Sequence, residues 1–166
     1  GMLAYRNATQ NTLTSLLSLR TYTQSKYLCI DSASRRNLEL VQNLQDGSRK
    51  NTLLEVLDHT VTAMGGRLLT SWLQQPLFNL EKIKKRQEAI GELVEKGLIR
   101  DELQTELAKL YDLERLLSKM CSASANARDL LSLGSSLVLL DELVTILEQL
   151  TSPSLISLTN TLLTNK

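Results

Sequence analysis

The sequence predicts an all-α, multihelical domain with one small two-stranded β element near its N-terminus. Three observations predict this. Leu dominates the apolar residues and aromatics are only 4%, and Leu favours helices whereas β-branched and aromatic residues favour strands. Apolar residues recur three and four apart along most of the chain, the spacing that lines one face of a helix. Helix-start residues stand ahead of those stripes at Thr52, Thr62, Asn79, Asn126 and Ser152, where a side-chain oxygen can take an orphan amide of the first turn.

Residues 2–19 carry Leu3, Leu13, Leu16, Leu17 and Leu19 among Asn, Thr and Gln, which predicts a helix leading in from something upstream. The β element follows. Residues 27–30 are a short apolar run, "NLEL" alternates Leu38 and Leu40, and the turn between them holds Arg35 and Arg36. "QDGSRK" is a polar, glycine-containing loop. Thr52-Leu-Leu-Glu55 fits a capping box, in which Thr52 accepts from the Glu55 amide and Glu55 reaches back to the Thr52 amide. A short helix therefore runs to about Asp58.

Thr62 caps the next helix, whose apolar face is Met64, Leu68, Leu69, Trp72 and Leu73; Pro76 ends it near Gln75. Asn79 opens a helix with Leu80, Ile83, Ile90 and Val94 on one stripe, ended by Gly97. Leu103, Leu107 and Leu110 mark the next helix. After a break near Tyr111 and Asp112, Leu113, Leu116 and Leu117 mark another. Asn126 and Asp129 start the longest helix, with Leu130, Leu133, Leu137, Leu140, Val144 and Leu147 in register. Leu131, Val138, Leu139, Leu143 and Ile146 widen that stripe, so the helix is expected to pack on more than one side. Ser152-Pro153 reads as the N-cap and first-turn proline of a last helix.

The chain has 166 residues, the size of one domain, and a chain of this size buries about 70% of the surface its unfolded form exposes. Its 19 basic and 18 acidic residues leave a net charge of +1. That balance gives no strong steering toward DNA, RNA or anionic membrane, and a dedicated nucleic-acid-binding domain is usually clearly basic. Cys29 and Cys121 lie far apart without a Cys-x-x-Cys, and read as reduced core thiols of a cytosolic protein. No run of about 18 apolar residues predicts a membrane span, and the N-terminus lacks a signal-peptide pattern. Gly1 before Met2 reads as a remnant of tag removal, and the chain as a piece of a larger protein.

The sequence carries none of the common catalytic or nucleotide-binding motifs. G-x-x-x-x-G-K-[ST], G-x-G-x-x-G and G-x-S-x-G are absent from the sequence. His59 is the only histidine, which excludes a multi-histidine metal site, and beside Asp58 it reads as a surface or capping residue rather than a general base. Asp112 and Glu114, two positions apart, point to different helix faces and make no acid–base pair. No catalytic, cofactor-binding or metal-binding residue is expected in this chain. The basic clusters are Arg35–Arg36 and the group Lys82, Lys84, Lys85 and Arg86. They could touch phosphates; without interleaved aromatics for base stacking, a solvated helix face and turn is the favoured reading. Arg35 and Arg36 could also anchor the β element to a carboxylate on a neighbouring helix.

Gly65 and Gly66 interrupt an otherwise helical segment, at a cost of roughly 0.5–1 kcal/mol each against Ala, so a compensating close contact is expected. A phosphate at a helix N-terminus is one possibility. Met64 and Leu68 flank the pair with core residues, which favours a close crossing of two helices, or of a helix and the β element. Gly66→Leu would then cost ~2 kcal/mol or more.

"IDSASRRNLEL", "NTLLEVLDHTVTAMGGRLLTSWLQQPL", "RQEAIGEL", "DLERLLSK" and "ANARDL" occur in this order. Together they resemble the central core of the MutS family of DNA mismatch-repair proteins, across residues 27–150. The 53–77 block and the RRNLEL element are the most specific parts, and His59 stands where an Arg is usual. The resemblance implies the multihelical MutS core, or lever, domain with a small two-stranded element. On it, residues 1–26 lead in from an upstream connector and residues 27–166 form the lever, stopping before the clamp. It implies a structural and allosteric role, linking a DNA clamp and mismatch recognition to a downstream ATPase. ATP and Mg would serve the full-length protein, a DNA-dependent ATPase, and not this chain. Expected partners are mismatched double-stranded DNA, a second copy in a homodimer and the other MutS domains, with no membrane. The expected location is the cytoplasm, at the nucleoid. The family's mismatch-reading Phe-x-Glu lies upstream; Phe78 is followed by Asn79 and Leu80 and is not that motif.

Two other functions fit the same residues. One is the core of a MutS-family paralogue acting on recombination intermediates, separated from the first reading by the upstream Phe-x-Glu. The other is a free-standing helical interaction module, separated from both by the absence of flanking domains.

Overall fold

The computed structural model describes residues 27–164; the helix expected at 2–19 and the whole 1–26 segment lie outside the described residues. Those described form eight helices: α1 (Ser32–Asn37), α2 (Leu53–Leu57), α3 (Ala63–Gln74), α4 (Leu80–Glu95), α5 (Gly97–Leu107), α6 (Leu113–Cys121), α7 (Ala127–Leu147) and α8 (Pro153–Thr164). α7 is the axis of the packing. It lies against α5, α6 and α8, while α4 packs on α8 and α5, and α2 on α3.

The helix starts follow local side-chain chemistry. Thr62 accepts from the Gly65 amide at 3.0 Å, and Asn79 from the Lys82 amide at 3.0 Å. Asn126 and Asp129 make a complete capping box at the head of α7. At α2 the box is displaced by one residue. Thr52 accepts from the Glu55 amide at 3.2 Å, but Glu55 accepts from the Asn51 amide at 2.6 Å rather than from Thr52. Gly97 begins α5 instead of ending α4, whose last turn closes at Lys96.

The two-stranded element is not formed among the described residues. Tyr27 makes one isolated antiparallel bridge, to Leu77, and the Leu28 amide donates to the Pro76 carbonyl at 2.8 Å. The expected turn is instead helix α1, because Asp31 caps it, accepting from the Ser34 amide at 2.8 Å and the Ser34 hydroxyl at 2.7 Å. "NLEL" cannot run straight, since Glu39 sits at φ 46°, a left-handed conformation that ends extended pairing. The Glu39 and Leu40 carbonyls then accept from the first amides of α2.

The core is narrow. Its apolar members are Leu54, Ala89, Leu116, Leu143, Val144, Ile146, Leu147 and Leu150, so it is centred on the C-terminal half of α7. The expectation that α7 packs on several sides holds for that half alone. Leu130, Leu131, Leu137 and Val138 are exposed in the other half. By length and composition α7 is apolar enough to cross a membrane, a test that the core helix of a globular domain also passes. The predicted stripe of α4 is largely exposed at Leu80, Ile90 and Val94, and the helix buries Ala89 instead. A small residue there lets α8 and α5 approach. Cys29 and Cys121 are free thiols but exposed, not core residues.

Candidate functional site

The residues with the most specific geometry do not form a reaction centre. They are polar ties between helices far apart in sequence. The first centres on Glu92, on α4. Its carboxylate accepts from the Thr151 amide at 2.6 Å, the Thr151 hydroxyl at 2.9 Å and the Ser152 amide at 2.7 Å. These groups form the turn that leads into α8, so a carboxylate from a distant helix fills the anion position at the positive end of α8. Lys96 completes the tie, donating to Glu92 at 2.9 Å and to the Gln149 carbonyl at 2.9 Å. Lys96 and the Thr151 and Ser152 amides hold the Glu92 carboxyl far below the usual carboxylate range. Ser152, expected to cap α8, has a buried hydroxyl with no hydrogen-bond partner.

The second tie centres on Arg67, immediately after the glycine pair. Its guanidinium forks onto both Asp112 oxygens at 2.8 and 2.7 Å and also meets Glu114 at 2.9 and 2.6 Å. α3 is thereby joined to the head of α6. The expectation that Asp112 and Glu114 diverge fails because Asp112 is the N-cap of α6, with non-helical backbone. Two carboxylates on one arginine make an anchor, and Arg67 holds Asp112 down at about 2.

Two further ties join the helices around α7. Ser136, fully buried on α7, accepts from the Tyr111 amide at 3.1 Å and donates to the Ser132 carbonyl at 3.0 Å. It thereby satisfies the backbone break between α5 and α6. Lys119, at the end of α6, reaches Asp129 at the head of α7 at 2.8 Å.

The residues singled out from the sequence fall in several places. Arg86 lies 3.5 Å over the Trp72 ring, a cation–π contact joining α4 to α3, so it leaves the basic cluster. Lys82, Lys84 and Lys85 are exposed on α4. Arg35 and Arg36 line a groove apart from all the ties. His59 is exposed, and no group of three or more His, Cys, Asp or Glu among the described residues could hold a metal ion. Gly65 and Gly66 do not face a crossing helix. A Cβ on Gly65 would sit 2.9 Å from the Thr62 hydroxyl and 3.3 Å from Thr60 Cβ, so the close neighbour is the loop that caps α3 itself. Gly66 is less crowded, with its nearest contact at 3.4 Å. Of the missed residues, Glu92 and Lys96 had a sequence signal as an i,i+4 pair, whereas the approach of α8 had none.

The family model for MutS domain III matches residues 33–165. The DNA mismatch repair protein MutS of Synechococcus elongatus is 48% identical over 95% of this chain and 18% of its own length. That of Acaryochloris marina is 52% identical over 86% of the chain and 16% of its length, and that of Pelotomaculum thermopropionicum 53% over 70% and 13%. The chain thus spans less than a fifth of the curated relatives it matches. Its helical architecture and these matches lead to one conclusion: the chain belongs to the MutS domain III family.

Proposed function

We propose that this chain is the structural and allosteric core, or lever, of a MutS-type mismatch-repair protein. It links a DNA clamp and mismatch recognition to a downstream ATPase. The observation that carries the reading is the Glu92 tie, which bolts the last turn of α4 to the turn between α7 and α8, 59 positions away. A displacement at one end of such a bundle is passed on through discrete, directional contacts rather than absorbed, which is the physical form coupling takes. Residues 1–26 lead in from a connector, and residues 27–166 are the lever. The parent binds mismatched double-stranded DNA as a homodimer and hydrolyses ATP with Mg. It works in the cytoplasm at the nucleoid. The names of the relatives favour this reading over a recombination paralogue or a free-standing interaction module.

Glu92→Gln in the full-length parent tests it, with ATP turnover measured with matched and mismatched duplex. The variant keeps basal turnover and loses most of the response to the mismatch. An unchanged response in a folded variant removes the coupling role. The chain alone binds duplex weakly and without preference, and tight mismatch-selective binding in an anisotropy titration would overturn this division of labour.

A further inference from the structure

Arg35 and Arg36, like Arg115 and Arg128, hold no carboxylate and cover no ring among the described residues, but of these they are the two that line a groove. Arg49, Arg67 and Arg100 hold carboxylates, at Asp58, at Asp112 and Glu114, and at Asp101, and Arg86 covers Trp72. Arg35 and Arg36 line a groove of about 580 Å³ together with Ser32, Asn43, Gly47 and Gln74.

The nearby acids are already committed to backbone. Asp31 caps α1 through Ser34, Glu39 accepts from the Leu44 amide at 2.7 Å, and Asp46 accepts from the Ser48 amide at 2.8 Å. The groove wall is braced as well. Asn43 donates to Ser48 and to the Lys50 carbonyl and accepts from the Asp46 and Gly47 amides, with Gly47 in the left-handed turn at φ 69°. Outside residues 27–164 the sequence supplies no acid. All 18 Asp and Glu lie within residues 27–164, while Arg6, Arg20, Lys26 and Lys166 fall outside.

We propose that this groove takes the carboxylate side chains of an acidic peptide segment on another domain or partner, gripped by Arg35 and Arg36. Planar guanidiniums match carboxylates in paired hydrogen bonds, and the side-chain amide of Gln74, in the same lining, suits a peptide beside them. A nucleic-acid backbone fits less well. A duplex needs a row of cations to meet successive phosphates, and the described body carries more acids than bases, whereas two arginines suffice for one or two carboxylates. The assignment is independent of the lever reading, and either can fail alone.

Titrating the isotope-labelled chain with N-acetyl tetraglutamate amide tests the proposal by backbone amide shifts. The shifts concentrate at Ser32, Arg35, Arg36 and Asn43 to Gly47, and saturate in the millimolar range. They weaken about tenfold in the R35Q/R36Q double variant, as expected on losing two charge-assisted contacts. They fade in ~0.5 M salt, as exposed ion pairs do. The double variant melts with the parent chain; if it melts lower, R36Q alone, at an exposed position, carries the same comparison. Absent shifts, or shifts centred on Lys82 to Lys85, overturn the proposal. So does a duplex of about 20 base pairs that moves the same amides more strongly than the peptide, which assigns the arginines to phosphate.

Discussion

Residues 27–78 and the bundle of α4, α5, α7 and α8 both carry charged ties, but only in the bundle does a contiguous apolar seam back them. In the first region only Thr52 and Leu54 are buried, and its ties to the rest are Arg67 on Asp112 and Glu114 and Arg86 on Trp72. In the bundle Leu143, Val144, Ile146, Leu147 and Leu150 form a contiguous apolar seam. Apolar burial is non-directional and salt-insensitive, so it decides where helices rest. Charged ties are directional, screened by salt, and worth about 0–1 kcal/mol each when exposed. The bundle is therefore the rigid body, and the N-terminal region is attached to it by contacts that can be adjusted one at a time.

The sharpest way to break that distinction lies within one helix. Leu147→Ala removes a side chain from the seam and costs about 2–5 kcal/mol. Leu131→Ala, on the exposed half of the same helix, stays within about 0.5 kcal/mol of neutral. Equal losses in denaturant melts would erase the difference between the two halves. Ser136→Ala comes next at about 0.5–1.5 kcal/mol, because it removes the acceptor of the Tyr111 amide. A loss no larger than that of an exposed serine would show that water replaces the hydroxyl.

Acid acts on the N-terminal ties, each by less. Asp58 is held at about 2 by the Thr60 hydroxyl and then Arg49, and Asp112 at about 2 by Arg67, against an ordinary 3.8. A carboxyl depressed in the folded state binds its proton less readily there than in the unfolded chain. Its contribution is complete above the unfolded value and is lost as pH falls through about 2. The melting midpoint therefore falls between pH about 4 and about 2. Arg67→Gln, which removes the cause at Asp112, makes that fall shallower; an unaltered fall would show that the fork does not govern Asp112.

What could be read from the sequence, and what could not, follows the same division. Caps at Thr52, Thr62, Asn79 and Asn126 were legible because a cap is a contact within three residues. Membership of the core was less so. Periodicity places Leu80, Ile90 and Val94 on one stripe but cannot say which stripe a neighbour covers, and here Ala89 faces the bundle. The alternation of Leu38 and Leu40 suggested a strand, yet capping by Asp31 and the left-handed Glu39 override it. The ties from Glu92 and Arg67 span 45 to 60 positions, and nothing local marks a partner at that distance.

The smallest expected effect concerns the two glycines, and it divides them. Gly65 and Gly66 look equivalent in sequence, and the expected penalty was placed on Gly66. The geometry moves it to Gly65. A methyl there meets the Thr62 hydroxyl at 2.9 Å, the same oxygen that accepts the Gly65 amide at 3.0 Å. It cannot give way without losing the cap of α3, a loss of ~1 kcal/mol, partly offset by the better helix propensity of Ala. Gly66→Ala meets only an ordinary contact at 3.4 Å, so the propensity gain survives and the variant is neutral or stabilised by up to about 1 kcal/mol. Thermal melts of the two single variants decide it. Gly65→Ala should fall below the parent chain and Gly66→Ala should not; the reverse order would mean that the Asp58–Thr60 loop presses on Gly66 instead.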